Sequence, residues 1–257
     1  VWEARAVEDG WEPAVTLPPG PRARCLTARG DELFIGTAEA RLFRLAGGTA
    51  TRLGSFDEAE GRDGWYTPWG GPPDTRSLAV GTDGTLYANV HVGGILRSDD
   101  DTASWVPTID VDADVHQVLA GDGGTVFAAT AYGLALSRDR GAHWTFVTAG
   151  LHADYSRAVA VAGEWLLLSA STGPSSDRAA VYRRRLDAPD DAPFERCREG
   201  LPDWFTGNID TRCLVASGSQ AALATAGGTV YVSEDAGETW REAASGLGRV
   251  TSLALAG

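Results

Sequence analysis

Ser137-Arg-Asp139-Arg-Gly141-Ala-His-Trp144 and Ser233-Glu-Asp235-Ala-Gly237-Glu-Thr-Trp240 share the pattern S-x-D-x-G-x-x-W. A degenerate copy, Ser98-Asp-Asp100-Asp-Thr102-Ala-Ser-Trp105, carries Thr where the others carry Gly. Each copy holds the same place in a longer unit, residues 116–151, 212–247 and 76–109. Residues 116–137, HQVLAGDGGTVFAATAYGLALS, show the first part of such a unit. Short apolar alternations are bounded there by Gly, Asp and Thr, the mark of half-buried strands joined by tight turns. An acidic turn, a Trp and a fourth segment follow. Weaker copies start at Arg24 and Arg157. No window carries the caps and 3.6-residue period of a helix, so the chain reads as all-β.

Four antiparallel strands in a repeat of about 40 residues make one blade of a β-propeller. Equivalent first-strand positions are Arg24, Arg76, His116, Arg157, Arg212 and Thr251, spaced 39 to 55 residues apart. This register predicts a six-bladed propeller of four-stranded antiparallel blades, with residues 1–257 as one domain. Residues 1–17 and Val250–Ala256 are expected to share the closing blade, about one strand short. Splitting that blade between the termini would leave no exposed edge.

The S-x-D-x-G-x-x-W turns resemble the Asp-box, or bacterial neuraminidase repeat, of sialidase-like propellers. The resemblance covers most of the chain. Its physical logic is structural: Asp accepts backbone N–H bonds, Gly takes positive φ and Trp packs between sheets. Trp144 and Trp240 are therefore expected to be buried. The resemblance also implies a sidedness. Loops that precede first strands, or join second to third strands, surround the channel mouth; Asp-box turns lie on the opposite face.

Composition narrows the function. The chain has 257 residues, 43% hydrophobic and 22% charged, with a net charge of −13. That apolar fraction is too high for a disordered chain. All 22 basic residues are Arg. Neither nucleic acid nor an anionic membrane is expected as a partner, since both call for a broad basic surface. No apolar run reaches 18 residues, and no signal-peptide pattern opens the sequence, so a cytoplasmic location is expected. Cys25, Cys197 and Cys213 are odd in number and lack metal-like spacing, which suggests buried free thiols.

The shared register of Arg24, Arg76, His116, Arg157 and Arg212 predicts a cationic ring at the mouth. Arg suits planar recognition of carboxylate, phosphate or sulfate. The alternative is an internal ion-pair network with Asp74, Asp114, Asp154 and Asp210, which lie just before these positions. The loop from Asp57 to Thr75 offers Trp65, Tyr66 and Trp69, either as a ligand-stacking lid or as a plug. Trp204 and Asp210 join from residues 203–210, with His91, Tyr132 and Tyr155 on neighbouring loops. The expected ligand is a small anion, a carbohydrate or a peptide segment.

A second function is implied by the resemblance: a retaining, exo-sialidase-like glycoside hydrolase. Arg76, Arg157 and Arg212 would supply its carboxylate-binding triad. Tyr66, Tyr132 or Tyr155 would be the nucleophile, and Asp74 or Asp114 the acid. The sequence departs from that pattern by lacking the N-terminal Phe/Tyr-Arg-Ile-Pro motif and a Glu beside a candidate Tyr. Three Arg converging above a Tyr–Glu pair would favour the enzyme. No cofactor is expected. A metal site from His91, His116 and an Asp is conceivable, but no short His spacing supports it, and none is expected.

Overall fold

A computed structural model of the chain describes residues 2–3, 10, 12–13 and 15–255. The fold is all-β. The one α-helix among the described residues is a single turn, Gly54–Asp57. A short antiparallel pair, β1 (Trp2–Glu3) and β2 (Glu12–Pro13), opens the chain. Five four-stranded antiparallel sheets follow in sequence order. The first holds β3 (Ala23–Arg29), β4 (Glu32–Thr37), β5 (Arg41–Ala46) and β6 (Thr49–Arg52). The second holds β7 (Asp74–Val80), β8 (Leu86–His91), β9 (Gly94–Ser98) and β10 (Val106–Pro107). The third is β11 (Val115–Ala120), β12 (Val126–Thr130), β13 (Gly133–Ser137) and β14 (Thr145–Val147). The fourth is β15 (Val159–Ala162), β16 (Trp165–Ser171), β17 (Ala179–Arg185) and β18 (Glu195–Arg196). The fifth is β19 (Leu214–Ser217), β20 (Gln220–Ala224), β21 (Val230–Ser233) and β22 (Arg241–Ala244).

The first strands touch in succession, β3 to β7 to β11 to β15 to β19. They gather at the centre while the later strands lie outward, the arrangement of propeller blades. The apolar core sits between neighbouring sheets rather than in one central mass. Phe34, Leu42, Leu86 and Leu96 pack between the first and second sheets. Tyr87, Ile95, Val126 and Ala135 pack between the second and third. Leu134, Leu168 and Phe194 join the third to the fourth, and Leu167, Val181, Leu223 and Trp240 the fourth to the fifth. The middle strands are covered on both faces, which is why β8 and β12 are buried throughout despite polar Asn89 and Thr130.

The acidic turns behave as their residues dictate. Asp139 accepts from the His143 N–H at 2.9 Å, and Asp235 from the Thr239 N–H at 2.9 Å. The Ser137 and Ser233 hydroxyls accept from Gly141 and Gly237, whose φ values are 86° and 83°. In the degenerate turn Asp100 makes the same contact to Ser104, and Thr102 adopts φ 69° where the others use glycine. Trp105 and Trp240 are buried. Trp144 is partly buried against the core between the second and third sheets, and its indole N–H donates to the Thr108 and Gly141 carbonyls.

The blade count also differs from expectation: there are five four-stranded sheets, not six. Among the described residues nothing after β22 forms a strand. One backbone bond, from Leu253 N–H to the Arg212 carbonyl at 2.9 Å, ties the C-terminal segment to the chain entering β19. Val250 and Leu253 pack on the core between the fourth and fifth sheets. Leu253 in Thr-Ser-Leu-Ala-Leu is thus held by packing and that one bond, without a strand ladder. A strand needs a ladder partner, and among the described residues β1 and β2 pair only with each other. Part of the predicted closing blade, including residues 4–9 and 256, lies outside the described residues.

Candidate functional site

The expected ring of first-strand residues has a backbone cause. The β3–β4 pairing skips Arg24, β7–β8 skips Arg76 and β11–β12 skips His116. Each is the extra residue of a β-bulge, and bulges bend a strand and re-aim a side chain. Arg157 and Arg212 stand just before β15 and β19, with Arg212 at φ 65°. Three sheets therefore use one local device at one register position.

A cavity of about 440 Å³ opens there. Arg24, Arg76, Arg157, Arg212 and Arg249 line it, with Asp74 and Asp210, so a chain of net charge −13 has a cationic cavity. Two arginines are neutralised in place. Arg24 pairs with Asp74 at 3.0 Å and Arg157 with Asp210 at 2.6 Å. Arg157 also donates to the Tyr155 hydroxyl at 3.2 Å and the Pro174 carbonyl at 3.3 Å. Burial acts to lower its pKa, but the bonds to Asp210 and Tyr155 outweigh that and raise it.

Arg76, Arg212 and Arg249 have no carboxylate within ion-pair distance among the described residues. Arg76 donates from Nε to the Thr211 hydroxyl at 3.3 Å. Burial lowers its pKa, and the neighbouring Arg157 charge adds to that effect. Arg212 donates to the Arg24 carbonyl, a link between the chain entering the fifth sheet and the first strand of the first sheet.

Trp69 is exposed and lines the cavity with its ring stacked on His91, centroids 5.3 Å apart at 27°. His91 is buried and stands 3.0 Å through Nε2 from Asp114. His116 is fully buried behind it, and Tyr155 lies 4.8 Å from the His116 ring. Of the twelve residues expected at the site, Arg76, His91, Arg157, Arg212, Trp69 and Asp210 line the cavity, and His116 and Tyr155 back it.

Four others stand apart from it. Trp65 packs on Phe56 in the core between the first and second sheets and carries Arg62 over its ring, so it neither lines nor plugs the cavity. The Tyr66 backbone pairs with Val92, and its side chain is exposed. Tyr132 is exposed against the edge of Phe146. Trp204 is held between Arg178 and Arg196, at 4.5 and 3.8 Å, beside His152. Thr211, Asp114 and Arg249 were not singled out from sequence as binding residues. Arg249 lay two residues before the sixth register position, Thr251, and that offset was the available signal.

No known protein family and no curated protein matches the sequence. Solved structures match its fold. PorZ, an essential surface component of the type-IX secretion system of Porphyromonas gingivalis, superposes with a TM-score of 0.61 at 14% identity, over 89% of this chain and 29% of PorZ. YCF48 bound to D1 peptide gives 0.53 at 12% identity, over 89% of this chain and 84% of YCF48. The GH74 enzyme of Niastella koreensis gives 0.55 at 13%, over 87% and 38%. The chain thus spans less than a third of PorZ. At these identities the likeness is one of fold: five antiparallel sheets of a β-propeller-like protein.

Proposed function

We propose that the chain is an Asp-box propeller whose central cavity binds the anionic group of a small ligand, such as the carboxylate of an acidic sugar or of a peptide end. The observation that carries this reading is Arg76. Its half-buried guanidinium lines the cavity with no carboxylate within ion-pair distance among the described residues, as does that of Arg212, with the exposed Arg249 beside them. Burying a cation without a partner is costly, and an incoming carboxylate relieves that cost. The overall negative charge repels anions at long range, but screening over about 8 Å at physiological salt leaves short bidentate contacts dominant. Trp69 adds an exposed ring face at the rim for a sugar or peptide to stack on.

Hydrolysis is the weaker reading. Tyr155 lies beside Arg157, but among the described residues no Glu lines the cavity, and Glu39 borders a separate depression with Arg41 and Arg62. The nucleophile–Glu pair that would support a sialidase-like reaction has no counterpart among the described lining residues.

Calorimetric titration with sialic acid, glucuronic acid and sulfate tests the proposal, with glucose as an uncharged control. Arg76→Gln should weaken anion binding by about 1.5–3 kcal/mol, the range for a hydrogen bond to a charged group. Asp210→Asn should tighten it by freeing Arg157. If no anion binds, or if both variants bind as the wild type does, the arginines are scaffolding.

A further inference from the structure

Asp114 sits between two imidazoles. His91 Nε2 is 3.0 Å from one of its oxygens, and His116 Nε2 is 3.7 Å from the other. The His116 ring fixes its own tautomer. Its Nδ1 is 2.7 Å from the Ser156 carbonyl oxygen, which can only accept, so Nδ1 carries the proton and donates. Nε2 of the neutral ring then presents a lone pair. That nitrogen is buried and has no hydrogen-bond partner among the described residues. A buried lone pair and a partly exposed carboxylate oxygen, both acceptors, thus stand 3.7 Å apart. Something positive between them would resolve the conflict.

A proton on Nε2 is one solution, but it places a charge on a ring with no exposure to solvent. A metal ion faces the same surroundings but forms three coordinate bonds at once. We infer that His91, Asp114 and His116 bind one divalent transition-metal ion, with zinc the best chemical match to two imidazoles and a carboxylate. Ligand atoms from the three residues lie within 4.8 Å of one another. Bonds of about 2.0–2.2 Å in tetrahedral geometry place ligand atoms roughly 3.4 Å apart, so binding requires the three side chains to draw closer.

The surroundings fit the same inference. The Nδ1–H donated to a backbone carbonyl is the support that metal-ligating histidines usually have, because it orients the ring and raises its basicity. Three protein ligands leave a coordination position open. His91 lines the cavity and Asp114 keeps 27% of its side-chain exposure, so that position is within reach of water or a ligand group. The inference shares His91 with the cavity lining but does not depend on whether that cavity binds an anion.

The test uses the untagged full chain, stripped with a chelator and titrated with Zn2+ against a chromophoric competitor. A parallel titration with Co2+ follows visible d–d absorption. One equivalent should bind with sub-micromolar affinity. His91→Gln and Asp114→Asn should each cost more than the roughly 10–100-fold that loss of an outer-shell partner costs. Asp114 is partly exposed and His91, though buried, borders the cavity, so both are better suited to replacement than the fully enclosed His116; unchanged circular dichroism would verify folding. The exposed His143–Asp139 pair is the control, and His143→Ala should leave binding intact. Absence of one-to-one binding below about 0.1 mM, unaltered affinity in both variants, or loss only in His143→Ala would each overturn the inference.

Discussion

Arg76 and Thr211, 135 residues apart in sequence, are joined by a 3.3 Å hydrogen bond from the guanidinium Nε to the threonine hydroxyl. The same hydroxyl lies 3.2 Å from the His116 carbonyl and 3.1 Å from the Arg157 carbonyl and shares its one proton between them. One buried oxygen therefore ties the chain before the fifth sheet to the second, third and fourth sheets. Thr211→Val keeps the shape and removes the oxygen. It should destabilise the protein by about 1–3 kcal/mol, the cost of leaving buried polar groups unpaired. Urea unfolding reads the loss, and an unchanged midpoint would mean that the strands do not depend on this link.

Trp240 tests whether the turns and the cavity are separate in function. It is 5% exposed in the core between the fourth and fifth sheets, and its indole N–H donates to the Gly237 carbonyl at 3.0 Å. Trp240→Ala should cost about 3–5 kcal/mol, as large core truncations do. Anion affinity of the folded fraction should stay the same. A matching fall in that affinity would place the functional face at the turns.

Acid should loosen the turns first. Asp100 is held down from the usual 3.8 to about 2, chiefly by its Ser104 side-chain hydrogen bond. Asp139 is also lowered, first by His143, and Asp235 is lowered because its Thr239 and Ser233 bonds outweigh burial. A depressed carboxylate pKa means that the native state binds fewer protons than the unfolded one between the two values. The stability it contributes is present above about pH 4 and is lost as pH falls toward 2. Urea midpoints between pH 5 and 2 should fall more steeply for the wild type than for Asp100→Asn. Equal slopes would show that this turn is not an acid-labile element.

Much of the architecture was legible because it is written in local chemistry. Gly141 and Gly237 take positive φ, Asp139 and Asp235 close their own turns, and two-residue alternation marks each strand. Such features need only neighbours in sequence. The bulge residues Arg76 and His116 were legible for the same reason, as a repeated register position. Trp65 and Trp204 were not. An aromatic in a long loop has the same signature whether it faces a ligand or an interior gap, and here Phe56 and two arginines claimed them.

The sequence by itself determined the all-β class, the four-strand unit, the capped turns and the level at which the arginines stand. Each follows from steric preference or hydrogen bonding within a few residues. Tertiary structure alone decided how many sheets form, because the segment after Arg249 finds packing rather than a ladder partner. It also decided which cations remain unpaired. Arg157 meets Asp210 from 53 residues away, and Arg76 meets only a hydroxyl. Partner choice between distant charges depends on where whole sheets lie, and spacing along the chain does not encode that. The Asp114 carboxylate brought between His91 and His116 arises in the same way, from two blades placed side by side.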